Sequence, residues 1–218
     1  MSQYARYTFN YKLSHEITLK HIGGYLKGTR TKSLIMRRSK TLQVYCSVDS
    51  DFDGLWSYAD SQDPTCVRSR PGFLIMIGDC PTTWSSKLQI VTALSTMETK
   101  CIALSSTLRE LITFQRLLKA VWITMTVEDR YVIDIKTPVF EDNQGCLILA
   151  NLESPRTIPR SKHYVLTYHS FRTQLKPNNI IIHAIDINSH LVYIYLLKVL
   201  DVYYLSDGLV ITFHVLVG

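Results

Sequence analysis

Three aspartates stand at alternate positions, Asp49, Asp51 and Asp53, at the end of the stretch 42–54, LQVYCSVDSDFDG. Carboxylates this close repel one another unless a cation or a base holds them. A hard divalent cation is one such partner, because it takes oxygen ligands. The string Asp49-Ser50-Asp51-Phe52-Asp53-Gly54, with Asp60 at the twelfth position, also matches the opening of a calcium loop. Its surroundings argue against that reading. A β-run precedes it, Asp63-Pro64 follows closely, and the usual bidentate Glu is an Asp. A solvated acidic turn is the third reading, and these residues alone do not choose.

The elements around the cluster narrow the choice. Leu42, Val44, Cys46 and Val48 alternate with period two, which predicts a half-buried strand ending at Asp49. Open α/β sheets place their ligands at such strand ends. Stretches 72–78 and 82–87 read as a hairpin turning at 78–81, after a Ser-, Asp- and Pro-rich loop. The longest helical pattern is 93–121, where Leu94, Met97, Cys101, Leu104, Leu108, Leu111, Phe114 (or Gln115), Leu118 and Val121 recur at three- and four-residue steps. A short strand at 138–141 leads through Asp142-Asn143-Gln144-Gly145 into a helix with Cys146, Leu147, Leu149 and Ala150 as its apolar residues. Further helices are expected at 161–175 and 191–200, with a strand at 180–185 between them. Near the start, Ser14 is placed to cap a short helix bearing Ile17, Leu19, Ile22 and Leu26, which Gly23-Gly24 would weaken. Three strands, then helices alternating with strands, imply an α/β domain: a mixed sheet with helices packed on it.

Composition excludes several classes. With 218 residues, 46% hydrophobic and 19% charged, the chain suits a folded domain. Five cysteines form no C-x-x-C pair and leave one over, which favours free thiols in the cytoplasm or nucleus over a disulfide framework or a zinc site. No signal peptide is visible, and Lys198 and Asp201 break the apolar run 191–205, so no membrane partner is expected. Residues 1–40 carry nine Lys or Arg against one acid, while the rest carry fifteen against seventeen. Lys27, Arg30, Lys32, Arg37, Arg38 and Lys40 make the densest stretch, either a solvated basic loop or a segment tracking phosphates. His163 and His169 are six apart, so they do not share a helical face as a metal-binding pair would. Trp56, Trp84 and Trp122 are expected in or beside the core.

Four strings in order carry a resemblance: VDSDFDG (48–54), WSSKLQIVTALSTMETKCIALSS (84–106), FEDNQGCLILAN (140–151) and SKHYVLTYHSFRTQL (161–175). Together they resemble the ribonuclease H domain of copia-type retrotransposon polyproteins. SHEITLKHIGGYLKGT (14–29) is similar to the segment joining the reverse transcriptase to that domain. The resemblance implies a ribonuclease H-like fold with a mixed five-stranded sheet, preceded by a short basic helical segment. It divides the chain into a connection remnant (1–41), the domain (42–200) and an apolar C-terminal tail (201–218). It also implies hydrolysis of the RNA strand of RNA–DNA hybrids by two Mg²⁺ or Mn²⁺ ions about 4 Å apart, held by carboxylates. No small-molecule substrate is expected. Lys162, His163 and Arg172 would join the basic segment in touching a nucleic-acid backbone.

Carried over by position, the family's first aspartate falls on Asp49 and its third carboxylate on Asp142, both retained and both expected metal ligands. The helix glutamate of the E-A-E-Y-x-A-L string falls on Lys100, and the last aspartate on Tyr193. Glu98 is no easy substitute, because two residues along a helix turn a side chain by about 200°. An ammonium 4 Å from a divalent cation would be repelled by about 8 kcal/mol at an effective dielectric near 20. The expectation is therefore an ion pair of Lys100 with Asp49 and Asp142 in place of tightly bound metal, and a degenerate domain with little or no nuclease activity. The alternative is a non-catalytic module binding nucleic acid, or calcium through the DSDFDG loop.

Overall fold

The computed structural model describes residues 8–9, 11–31, 43–52, 67–78, 80–125, 135–151, 172–173 and 175–185. A five-stranded mixed sheet is the frame, in the order β3-β2-β1-β4-β5. Strands β1 (Val44–Ser50), β2 (Pro71–Ile77) and β3 (Cys80–Ser86) form an antiparallel meander, while β4 (Thr137–Glu141) and β5 (Ile180–Ala184) run parallel to β1. Helix α1 (Leu13–Gly28) precedes the sheet, α2 (Thr96–Met125) links β3 to β4, and α3 (Gln144–Asn151) follows β4.

Alternation decides which side chains face the helices. Val44, Cys46 and Val48 of β1, Ile75 of β2, Val139 of β4, and Ile180 and Ile182 of β5 join Leu104, Leu108, Leu111 and Ile112 of α2 in one buried core. Leu74 and Met76 point the other way and pack with Tyr45. On that second face Tyr45, Phe140 and His183 form a row across three strands, with ring centroids 6.4 and 6.0 Å apart.

Several boundaries differ from the sequence reading. Asp49 lies inside β1, opposite Gly72, because the β1–β2 ladder continues to Ser50 and Pro71. The hairpin turns at Gly78, and β3 already begins at Cys80. Gly78 holds φ at 57°, a left-handed value that suits glycine. Its N–H donates to the Gln43 carbonyl at 2.8 Å.

Helix α2 starts three residues later than periodicity suggested. Ser95 Oγ accepts the Glu98 N–H (3.1 Å), and Glu98 Oε2 accepts the Leu94 N–H (2.7 Å), a reciprocal cap that leaves Leu94 outside the helix and 88% exposed. Ser95→Ala should therefore cost about 1 kcal/mol in a urea melt. At its far end α2 runs on to Met125 with Leu117, Val121, Ile123 and Met125 exposed, so Val121 is not a core residue.

Helix α1 begins after Lys12 rather than Ser14. The Lys12 N–H finds its partner in His15 Nδ1 at 3.1 Å, and the helix passes through Gly23-Gly24 to Gly28. Leu19 and Leu26 on it are half exposed. Trp84 is 47% exposed on the edge strand β3, not in the core, while Trp122 is partly buried. The helix expected at 161–175 falls outside the described residues except at Arg172, Thr173 and Leu175, which are helical. The helix at 191–200 with Tyr193, the tail at 201–218, and Trp56 also lie outside them.

Candidate functional site

Two parallel neighbours, β1 and β4, bring Asp49 and Asp142 together. Cys46 pairs with Val139 and Ser47 with Phe140, and continuing that register two residues sets Asp49 level with Asp142. Both aspartates thus stand at the carboxyl ends of adjacent parallel strands, the edge where such sheets place chemistry. The first turns of α2 pass over this edge and carry Lys100 into it.

Lys100 Nζ donates to Asp49 Oδ1 at 2.5 Å and to Asp142 Oδ1 at 2.6 Å. Asp49 Oδ1 also accepts the Ser50 N–H at 2.8 Å. The lysine side chain is 11% exposed, and the two carboxylate side chains are 13% and 28% exposed. Burial alone would lower the Lys100 pKa. The Asp49 charge, the Glu141 charge once that acid ionises at alkaline pH, and the hydrogen bonds to Asp142 and Asp49 outweigh it and hold the ammonium above its ordinary value. For Asp142 burial works upward, and the hydrogen bonds to Glu141 and Lys100 overcome it, so the carboxyl is held below its ordinary value.

A third acid completes the cluster. Glu141, the last residue of β4, is fully buried, and its Oε1 accepts the Asn143 N–H at 3.2 Å. Burial, then the Asp142 carboxylate beside it, push its carboxyl up to about 9 against the attraction of Lys100. At neutral pH Glu141 is therefore a neutral acid hydrogen-bonded to the Asp142 carboxylate. Its Oε2 is buried with no hydrogen-bond partner. The sequence reading missed this residue, although Thr137, Val139 and Glu141 alternate onto the buried side of β4.

The cluster's charge at neutral pH is one ammonium against two carboxylates, with a neutral acid alongside. The arrangement does not fit a pair of Mg²⁺ or Mn²⁺ ions. The ammonium lies within hydrogen-bond distance of both aspartates, where a cation would need their oxygens. Among the described residues, no group of three or more His, Cys, Asp or Glu could hold a metal ion. Glu98 caps α2 instead of joining the cluster. Of the acidic loop, Asp51 Oδ1 accepts the Arg70 N–H, while Asp53 and Asp60 lie outside the described residues.

Lys27 and Arg30 lie in exposed positions at and just after the end of α1, and Arg172 is partly exposed. Lys32, Arg37, Arg38, Lys40, Lys162 and His163 lie outside the described residues. No helix among the described residues is long and apolar enough to cross a membrane.

Strand order, strand direction and the placement of α2 and α3 define an α/β domain of the ribonuclease H-like class. No family model matches the chain. Two Pol polyproteins of Arabidopsis thaliana, from transposons RE1 and RE2, are each 28% identical to it over 163 residues, 74% of this chain. The chain spans about a tenth of the length of those polyproteins, 10% in each case. The secreted RxLR effector protein 161 of Plasmopara viticola is 30% identical over 112 residues, covering 51% of this chain and 67% of that protein. Among solved structures, LC11-RNase H1 from compost superposes with a TM-score of 0.44 at 13% identity over 72% of this chain and 93% of its own. The same enzyme in complex with an RNA/DNA hybrid gives 0.45 at 12% identity, over 71% of this chain and 93% of its own. Over about three quarters of its length the chain is thus similar to retrotransposon Pol polyproteins, and its fold is ribonuclease H-like.

Proposed function

We propose that this domain is a degenerate ribonuclease H in which an internal ammonium has taken the place of the divalent cations. It is then inactive, or nearly so, toward the RNA strand of RNA–DNA hybrids, and binds no Mg²⁺ or Mn²⁺ tightly. One observation carries the reading: Lys100 Nζ sits 2.5 and 2.6 Å from the two aspartates that the family uses as ligands. Tyr193 at the last carboxylate position supports it from the sequence. Nucleic acid remains the partner, held weakly by the basic stretch 27–40 with Lys162, His163 and Arg172, in the cytoplasm or nucleus. Such binding rests on phosphate contacts and falls steeply with salt.

The test is cleavage of an RNA–DNA hybrid by the full chain with Mg²⁺ or Mn²⁺, alongside calorimetric titration of the metals. No turnover above background and no tight metal site are expected, with hybrid binding that weakens as salt rises. Turnover that Asp49→Asn abolishes would overturn the proposal, as would two tight metal sites dependent on Asp49. A calcium-dependent rise in Tm would favour the DSDFDG calcium module instead.

A further inference from the structure

Directly behind the charged cluster lie two thiols. Cys101 follows Lys100 on α2, and Cys146 stands in the first turn of α3, where its N–H donates to Asn143 Oδ1 at 2.9 Å. Both are buried, 2% and 0% exposed, and their Sγ atoms are 3.4 Å apart with the Cys101 thiol donating to the Cys146 sulfur. A disulfide needs a separation of about 2.0 Å, so closure asks for a movement of little more than 1 Å. Gly145, next to Cys146, would place a Cβ only 3.1 Å from Met97 Sδ, which shows how closely α3 approaches α2 here. The other described cysteines, Cys46 and Cys80, lie on β1 and β3 and form no disulfide.

We infer that Cys101 and Cys146 form a redox-modification site, which a small peroxide converts into a disulfide joining α2 to α3. The sulfur of one thiolate attacks the O–O bond of hydrogen peroxide, giving a sulfenic acid and one water. The other thiol then attacks the sulfenic sulfur and expels a second water. Two electrons leave the sulfur pair and reduce the peroxide, and both thiol protons end in water. Burial shields the pair from bulky reagents, so the reaction follows local opening of α3, a helix of eight residues. The hydrogen bond with Cys101, and then burial, also push the Cys146 thiol up, which makes Cys146 slow to react.

Closing the bond would clamp the helix that carries Lys100 to the helix that follows Asp142. The lock acts on the same cluster as the proposed function, but the chemistry requires neither metal nor nucleic acid. The two ideas can therefore fail separately.

The test treats the reduced full chain with hydrogen peroxide, alkylates the remaining thiols, and digests it with trypsin without reductant. Peptides 101–109 and 137–156 should appear joined, with two hydrogens lost, and should separate on reduction with dithiothreitol. The oxidised chain should melt roughly 5–10 °C higher, a rise abolished in Cys146→Ser. Recovery of both peptides singly, as alkylated thiols or sulfinic acids, while the partly exposed Cys80 is oxidised, would overturn the inference. So would a disulfide joining either cysteine to Cys46, Cys66 or Cys80. If Cys146→Ser does not fold, the peptide map of the unaltered chain decides alone.

Discussion

Lys100→Met is expected to destabilise the domain by about 3–5 kcal/mol at pH 7, measured by urea denaturation. Methionine roughly preserves the volume, so the loss is electrostatic: Asp49 and Asp142 would remain side by side, largely buried, with no counter-charge. The pH dependence has a definite sign. Asp142 is held below its ordinary value of 3.8, so its contribution is present above that pH and is lost as pH falls through the lower folded-state value. Lys100 is held above 10.5, so its contribution is present below that pH and is lost as pH rises through the higher one. The gap between the parent chain and Lys100→Met should thus be wide across neutral pH and shrink in acid, where Asp142 takes up a proton. Adding Asp49→Asn and Asp142→Asn to Lys100→Met should recover most of the loss. A buried ion pair is costly to break by halves but cheap to replace whole. Equal destabilisation of the single and triple variants would show that packing around the lysine stem, not charge, is what matters.

That prediction depends on side chains the sequence could name but not place. Strand alternation in β1 and the three-and-four spacing of α2 are local patterns, and both elements form where those patterns put them. Their ends were less legible. The cap of α2 is made by Ser95 and Glu98, and a cap outweighs an apolar residue at Leu94 that has nothing to pack against. Trp84 reads by residue type as core or half-buried, and its place on the edge strand β3 is something period-two alternation does not reveal. The meeting of Asp49 with Asp142 is a property of the β1–β4 pairing, between strands about ninety residues apart in sequence. Only a family resemblance could suggest it beforehand. Glu141 escaped notice because its importance comes from burial and from the charges beside it.

Glu141 gives the second large effect. Its carboxyl rises from 4.5 to about 9 on folding, with burial as the first cause. The native state therefore binds a proton that the unfolded chain releases. Stability contributed by this proton is complete below about 4.5 and is lost as pH climbs toward about 9. Inside that window the slope approaches about 1.4 kcal/mol per pH unit, so the loss between pH 5 and pH 8 reaches a few kcal/mol. Glutamine in its place mimics the protonated acid and cannot ionise. Glu141→Gln should remove most of the slope in urea melts at pH 5, 6, 7 and 8, leaving the variant the more stable chain at the alkaline end. Parallel pH profiles for the two chains would mean that Glu141 is ionised at neutral pH. The lysine would then be shared among three carboxylates instead of two. In that case the cluster would carry one more negative charge, and the site would be closer to holding a cation than its ammonium suggests.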